Sequence, residues 1–199
     1  VDQQFWEDRY GERDQLFSGD PNGVLVTEVT GLEPGQALDV GCGEGGDAIW
    51  LARQGWRVTA IDISKTALRR AAANSADLAD RVAWTHGDLT TTPLPSRAFD
   101  LVSLQYFPLP RGNPATLRTL LDTVVPGGNL LFVSHDISDL DPDPERGFDP
   151  GDFFQPADAA TLLDENWTVL VDETRPRNTP PPEGTRHTHD TVLRARRDR

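Results

Sequence analysis

The stretch Asp39-Val40-Gly41-Cys42-Gly43-Glu44-Gly45-Gly46 concentrates residue types that let a ligand lie against main chain. Glycine accepts the left-handed backbone of a sharp turn and presents no side chain to obstruct a ligand. A short apolar strand, Ala37 to Val40, runs into these glycines, and helix-forming residues from Asp47 to Gln54 run out of them. Two more carboxylates follow at telling places. Asp62 ends a second strand about 20 residues beyond Gly41, where an acidic side chain accepts hydrogen bonds from both hydroxyls of a ribose. Asp88, in Gly87-Asp88-Leu89 after a third strand, can accept from the exocyclic amine of adenine, with Ile63 and Leu89 as apolar flanks for the ring. Singly, Asp62 could cap the next helix and Asp88 could open a turn. Their joint spacing outlines an adenosine site.

Gly41, Gly43 and Gly46 also satisfy G-x-G-x-x-G, on its own a weak sign of a nicotinamide dinucleotide. Glu44 and Asp47 would oppose a pyrophosphate at the helix N-terminus. The sulfonium and ammonium of S-adenosylmethionine tolerate carboxylates, and Asp39 can attract the ammonium. The charges favour this methyl donor, with S-adenosylhomocysteine as product, over NAD(P).

Positioning such a loop takes strands alternating with helices, which gives an α/β fold with a mostly parallel sheet covered on both faces. Strands are expected at Trp56 to Asp62, Val82 to Gly87, Phe99 to Leu104 and, after a Pro126-Gly127-Gly128 turn, Asn129 to Ser134. Helices are expected from Ser64 to Asn74, Pro114 to Val124 and Ala157 to Asp164. Trp167 to Glu173 and Thr191 to Ala195 have no helix between them and should pair antiparallel. The Asp-, Pro- and Gly-rich segment 136–152 is long for a connection and reads as a lid.

The 199 residues fit one domain, 1–199, with an arm at 1–22. A net charge of −13 argues against nucleic acid and anionic membrane surfaces as partners, and no apolar run is long enough to span a bilayer. The four arginines Arg194, Arg196, Arg197 and Arg199 read as a solvated tail. The start lacks a secretory pattern, and the single Cys42 excludes an intrachain disulfide, so a cytoplasmic location is expected. Cys42 itself is assigned to packing. No metal is expected: the histidines lack zinc-motif spacing, and Pro144 stands where a calcium loop needs glycine.

Leu38 to Gly45, Asp62, Gly87-Asp88-Leu89 and Pro126-Gly127-Gly128 resemble the class I S-adenosylmethionine-dependent methyltransferases, over about residues 35–135. Phe5 to Tyr10 and Leu16 to Gly19, followed by Pro21-Asn22, are similar to the arm of thiopurine-type and tellurite-resistance-type members. The resemblance implies a Rossmann-like three-layer sandwich whose seven-stranded sheet has its last strand antiparallel. It also implies that Trp6 and Tyr10 help close over the cofactor and that Phe17 lies near the substrate.

In open α/β sheets ligands bind beyond the carboxyl ends of the strands. That edge brings Gln105, assigned to the cofactor, together with Tyr106, His135 and Asp136 on the substrate side. An antiparallel last strand adds His187, His189 and Asp190. His135 is the first choice for a general base, against the alternative of a strand-end histidine held by hydrogen bonds; His187 and His189 read as loop decoration. The expected activity is methylation of a small molecule at a thiol, hydroxyl or chalcogen. An NAD(P)-dependent oxidoreductase and a non-catalytic S-adenosylmethionine-binding module are the alternatives.

Overall fold

The computed structural model describes residues 2–139, 149–178 and 187–199. Two helices precede the sheet, α1 (Gln3–Gly11) and α2 (Gly23–Val29). Then come β1 (Gln36–Val40), α3 (Gly46–Arg53), β2 (Arg57–Asp62), α4 (Lys65–Ala73) and β3 (Val82–His86). The second half comprises β4 (Phe99–Gln105), α5 (Pro114–Asp122), β5 (Val124–His135), α6 (Pro156–Ala160), β6 (Trp167–Pro176) and β7 (His189–Arg197).

Among the described residues the seven strands form one sheet in the order β3-β2-β1-β4-β5-β7-β6. β1 to β5 pair in parallel, while β7 runs antiparallel to both β5 and β6. Chain direction therefore reverses only at β7, and the start of β7 lies at the carboxyl edge of the others. Apolar residues on alternate strand positions feed two cores. One packs Leu101, Leu131, Val133 and Val192 with α2 and α3; the other packs Leu38, Val102, Leu104 and Phe132 with α5 and α6.

Local chemistry fixes the helix starts. The Ser64 side chain accepts from the Ala67 amide and Asn113 accepts from Ala115, with Pro114 next to it. Pro126-Gly127-Gly128 is not a turn between elements. It lies within β5, where pairing with β4 jumps from Phe99↔Val124 to Leu101↔Asn129, so the glycines accommodate a bulge. The helix expected at 157–164 spans only Pro156–Ala160.

Of the terminal arginines, Arg196 and Arg199 are exposed as expected, whereas Arg194 and Arg197 are not a solvated tail. Arg194 bonds the Glu28 carbonyl at 2.7 Å, tying β7 to α2. Arg197 donates to the carbonyls of Leu121 and Asp122, where the last carbonyls of α5 need donors, and to that of Val124 at the start of β5. Most of the expected lid (140–148) and the Pro-rich loop at 180–182 lie outside the described residues. No helix among the described residues is long and apolar enough to cross a membrane.

Candidate active site

β1 delivers the glycine loop to the carboxyl edge, and its backbone turns at once. Gly41, Gly43 and Gly45 have φ of 69°, 52° and 89°, the region that other residues rarely enter. The Gly41 and Cys42 amides both donate to the Ile61 carbonyl, locking the loop onto β2. Asp62 then reaches back: one oxygen accepts from the Gly43 amide and the other from Ser64, both at 2.8 Å. Asp88 opens a turn by accepting from the Thr90 amide and hydroxyl. Asp88 thus plays the turn role weighed from sequence, whereas α4 is capped by Ser64 and not by Asp62; each carboxylate keeps lone pairs for a ligand.

These groups line a cleft of about 160 Å³. Its walls include Trp6, Gly41, Asp62, Ile63, Asp88 and Leu89, all selected from sequence. Phe107 to Pro110, which sequence reasoning passed over, complete it from the far side of β4. A Cβ on Gly41 would collide with the Phe107 ring. The position of Phe107, immediately after Tyr106 with its positive φ of 55°, is a signal that no local pattern carried.

Glu44 and Asp47 do something that sequence reasoning missed. Rather than lining the cleft, they hold the arm. Glu44 accepts from the Leu16 and Phe17 amides and pairs with Arg70 at 2.8 Å. Arg70 in turn donates to the Tyr10 and Arg13 carbonyls. Asp47 accepts from both the main chain and the side chain of Asn22. Tyr10 is buried, and its hydroxyl lies 2.9 Å from where a Cβ on Gly43 would be. Burial, with Asp62 and Glu44 close by, pushes the Tyr10 phenol far above its ordinary value. Phe17 meets Tyr10 edge-on at 6.1 Å and remains 53% exposed.

Asp39 is 2% exposed. Burial, then Asp47 and Asp62, raise its carboxyl well above the usual range. Its Oδ2 and the Oε1 of Gln105 have no hydrogen-bond partner among the described residues. Register places Asp39 opposite Ser103, Gln105 opposite Val133 and His135 opposite Asp190. Because alternate strand residues share a face, Asp39, Gln105, His135 and Asp190 form a row across β1, β4, β5 and β7.

At the far end of that row the aromatic rings stack. Tyr106 lies 4.4 Å from His135, and His135 lies 4.0 Å from His187. His187 therefore packs within this group instead of decorating a loop. Arg177, not anticipated from sequence, sits over the Tyr106 ring and bonds Asp190 at 2.9 Å. Tyr106 lies close enough to Asp190 for the two to act on each other, and burial raises both groups above their ordinary values. His189 bonds Thr188, and the Asp136 amide bonds the His189 carbonyl.

A sheet reversed only at β7, with acidic strand ends around a cleft at its carboxyl edge, is the class I methyltransferase arrangement. Residues 37–128 match the family described as a methyltransferase domain, and the whole chain has the fold of S-adenosylmethionine-dependent methyltransferases. It is similar to a Mycobacterium tuberculosis protein described as a methyltransferase, 41% identical over 101 residues and 49% of each chain. It is also similar to thiocyanate methyltransferase 1 of Brassica oleracea, 30% identical over 145 residues, 70% of this chain and 63% of the relative. The chain spans about half the length of the mycobacterial relatives it matches. In fold it resembles the N-methyltransferase NodS from Bradyrhizobium japonicum, solved with S-adenosyl-L-homocysteine: TM-score 0.70, 19% identity, 100% of both chains covered.

Proposed function

We propose that the protein transfers the methyl group of S-adenosylmethionine to a small-molecule acceptor bound beside β4 and β5. Two buried oxygens carry this reading, Asp39 Oδ2 and Gln105 Oε1, which have no donor among the described residues. A buried acceptor without a donor is costly, and the ammonium of the methyl donor supplies one next to the glycine loop. On this reading Asp62 takes the ribose hydroxyls and Asp88 the adenine amine. Ile63, Leu89 and Phe107 flank the ring, and Trp6 closes the cleft.

When bound, S-adenosylmethionine supplies a methyl already activated by its sulfonium for in-line displacement. The chain's contribution is orientation and exclusion of water. Tyr10, held against Gly43, and Phe17, held through Glu44, bring the arm over the loop where it can shield the reacting atoms. Tyr106 and His135 stand one strand further on, where an acceptor would approach. The similarity to a thiocyanate methyltransferase supports a small acceptor.

The test is formation of S-adenosylhomocysteine with a panel of thiocyanate, thiols, phenols and selenite. Turnover with at least one is expected. Tight binding of S-adenosylmethionine without turnover on any of them would make the protein a binding module instead.

A further inference from the structure

The register of β5 and β7 sets His135 opposite Asp190, an arrangement that offers an aspartate–histidine pair of the kind that orients a general base. The pair is not made. His135 Nδ1 is 4.0 Å from Asp190 Oδ1, beyond hydrogen-bond distance. One atom is wedged against both: Arg177 Nη1, 2.9 Å from Asp190 Oδ1 and 3.1 Å from His135 Nδ1. The Arg177 side chain is only 9% exposed and that of Asp190 only 1%, and the cation is held over the Tyr106 ring. The wedge is therefore fixed from three sides.

A guanidinium only donates and keeps its charge at any accessible pH. His135 Nδ1 must accept from it, so the neutral ring carries its proton on Nε2. The rings of Tyr106 and His187, stacked at 4.4 and 4.0 Å, set the plane of the imidazole. We propose that Arg177 is a positioning residue that locks His135 in the Nε2–H form, making it a donor and not a base, and that the acceptor has no proton to lose. The acceptor class is a soft anion, such as thiocyanate or a thiolate formed in solution. The acceptor part rests on the methyl-transfer reading; the assignment of the tautomer does not. In the step implied, a lone pair of the anion forms the new bond to the methyl carbon. The carbon–sulfur bond breaks with its pair passing to sulfur, and no proton moves.

Nitrogen-15 NMR of histidine-labelled protein at neutral pH tests the tautomer without turnover, the His135 signal being identified by its loss in His135→Gln. An Nε2–H ring is expected. Removing the wedge in Arg177→Met should let Nδ1–H turn to Asp190, and Arg177→Lys, which still donates, should restore the original form. An Nδ1–H or protonated ring in the unaltered protein overturns the proposal, as does a ring unchanged by Arg177→Met in a folded variant. For the acceptor, methylation of thiocyanate should exceed that of a phenol. Arg177→Met should gain phenol methylation by about 10²-fold, the usual contribution of a general base. Preference for the phenol in the unaltered protein overturns the acceptor class. An Nε2–H ring with no turnover on any acceptor overturns methyl transfer and leaves the assignment of Arg177 standing.

Discussion

At the β1–β3 end of the carboxyl edge the site is made of main chain and short-range contacts. The glycine loop donates to Ile61, and Asp62 returns to Gly43. At the β4–β7 end it is made of side chains from distant segments: Tyr106, His135, Arg177, His187 and Asp190 meet only because β7 inserts antiparallel beside β5. The first construction suits a cofactor that many enzymes share, since any sequence with glycines and carboxylates at those turns can build it. The second suits an acceptor peculiar to one enzyme, since each side chain can change without disturbing the turns. A perturbation at one end should therefore alter cofactor binding, and at the other acceptor choice.

The sharpest break is Gly43→Val. Position 43 has a φ of 52°, and a Cβ there would stand 2.9 Å from the Tyr10 hydroxyl. A β-branched residue is strained in that backbone and would also displace the arm. Calorimetry should find no S-adenosylmethionine binding while circular dichroism shows an intact sheet. Binding at full affinity would show that the loop does not form the cofactor site.

A smaller loss is expected from Asp62→Ala. The proposed ribose bonds involve a charged acceptor, each worth about 1.5–3 kcal/mol, so affinity should fall by roughly ten- to a hundredfold for each bond lost. The Gly43 and Ser64 amides also lose their acceptor, which loosens the loop itself. The ratio of thiocyanate to phenol methylation should stay constant. A changed ratio would mean that the two ends are coupled.

The same contrast decides what could be read from residues alone. Asp39 to Gly46, Asp62 and Asp88 lie at the ends of strands that apolar runs mark out, so each could be placed without knowing any other contact. His135, His187 and Asp190 could be brought to one edge by arguing that the last strand is antiparallel, and the sheet has that reversal. Arg177 had no such handle: it follows β6, and only the registry of β6 on β7 carries it back to Asp190. Glu44 and Asp47 were visible as carboxylates near a helix start, yet their partners, the Leu16, Phe17 and Asn22 amides, lie in a segment whose path the local pattern does not encode. The bulge in β5 was hidden for a similar reason. Pro-Gly-Gly marks a turn chemically, whereas pairing with β4 keeps the segment inside the strand.

The smallest effect concerns pH, and it separates the ends by charge. Burial raises the carboxyls of Asp39, Asp47 and Asp62, and Asp47 is pushed from its ordinary 3.8 up to about 6, against two hydrogen bonds from Asn22 that lower it. Between those values the folded chain keeps a proton on Asp47 that the unfolded chain has released. Stability therefore falls as pH rises through this window, and the full cost is present above about 6. Glu7, lowered below its ordinary 4.5 by hydrogen bonds from α4, acts in the opposite sense only below that value, while Asp190 at the other end, also raised by burial, acts in the same sense as the three aspartates. Scanning calorimetry should show the melting temperature declining across the interval from 4.5 to about 6. Asp47→Asn should flatten the decline. Saturating S-adenosylmethionine should flatten it as well, because an ammonium and a sulfonium beside these carboxylates favour their charged forms. Thiocyanate, an anion binding at the other end, should not flatten it. A melting temperature that rises across the interval, or a slope flattened by thiocyanate and not by S-adenosylmethionine, would place the cation's site away from the three aspartates.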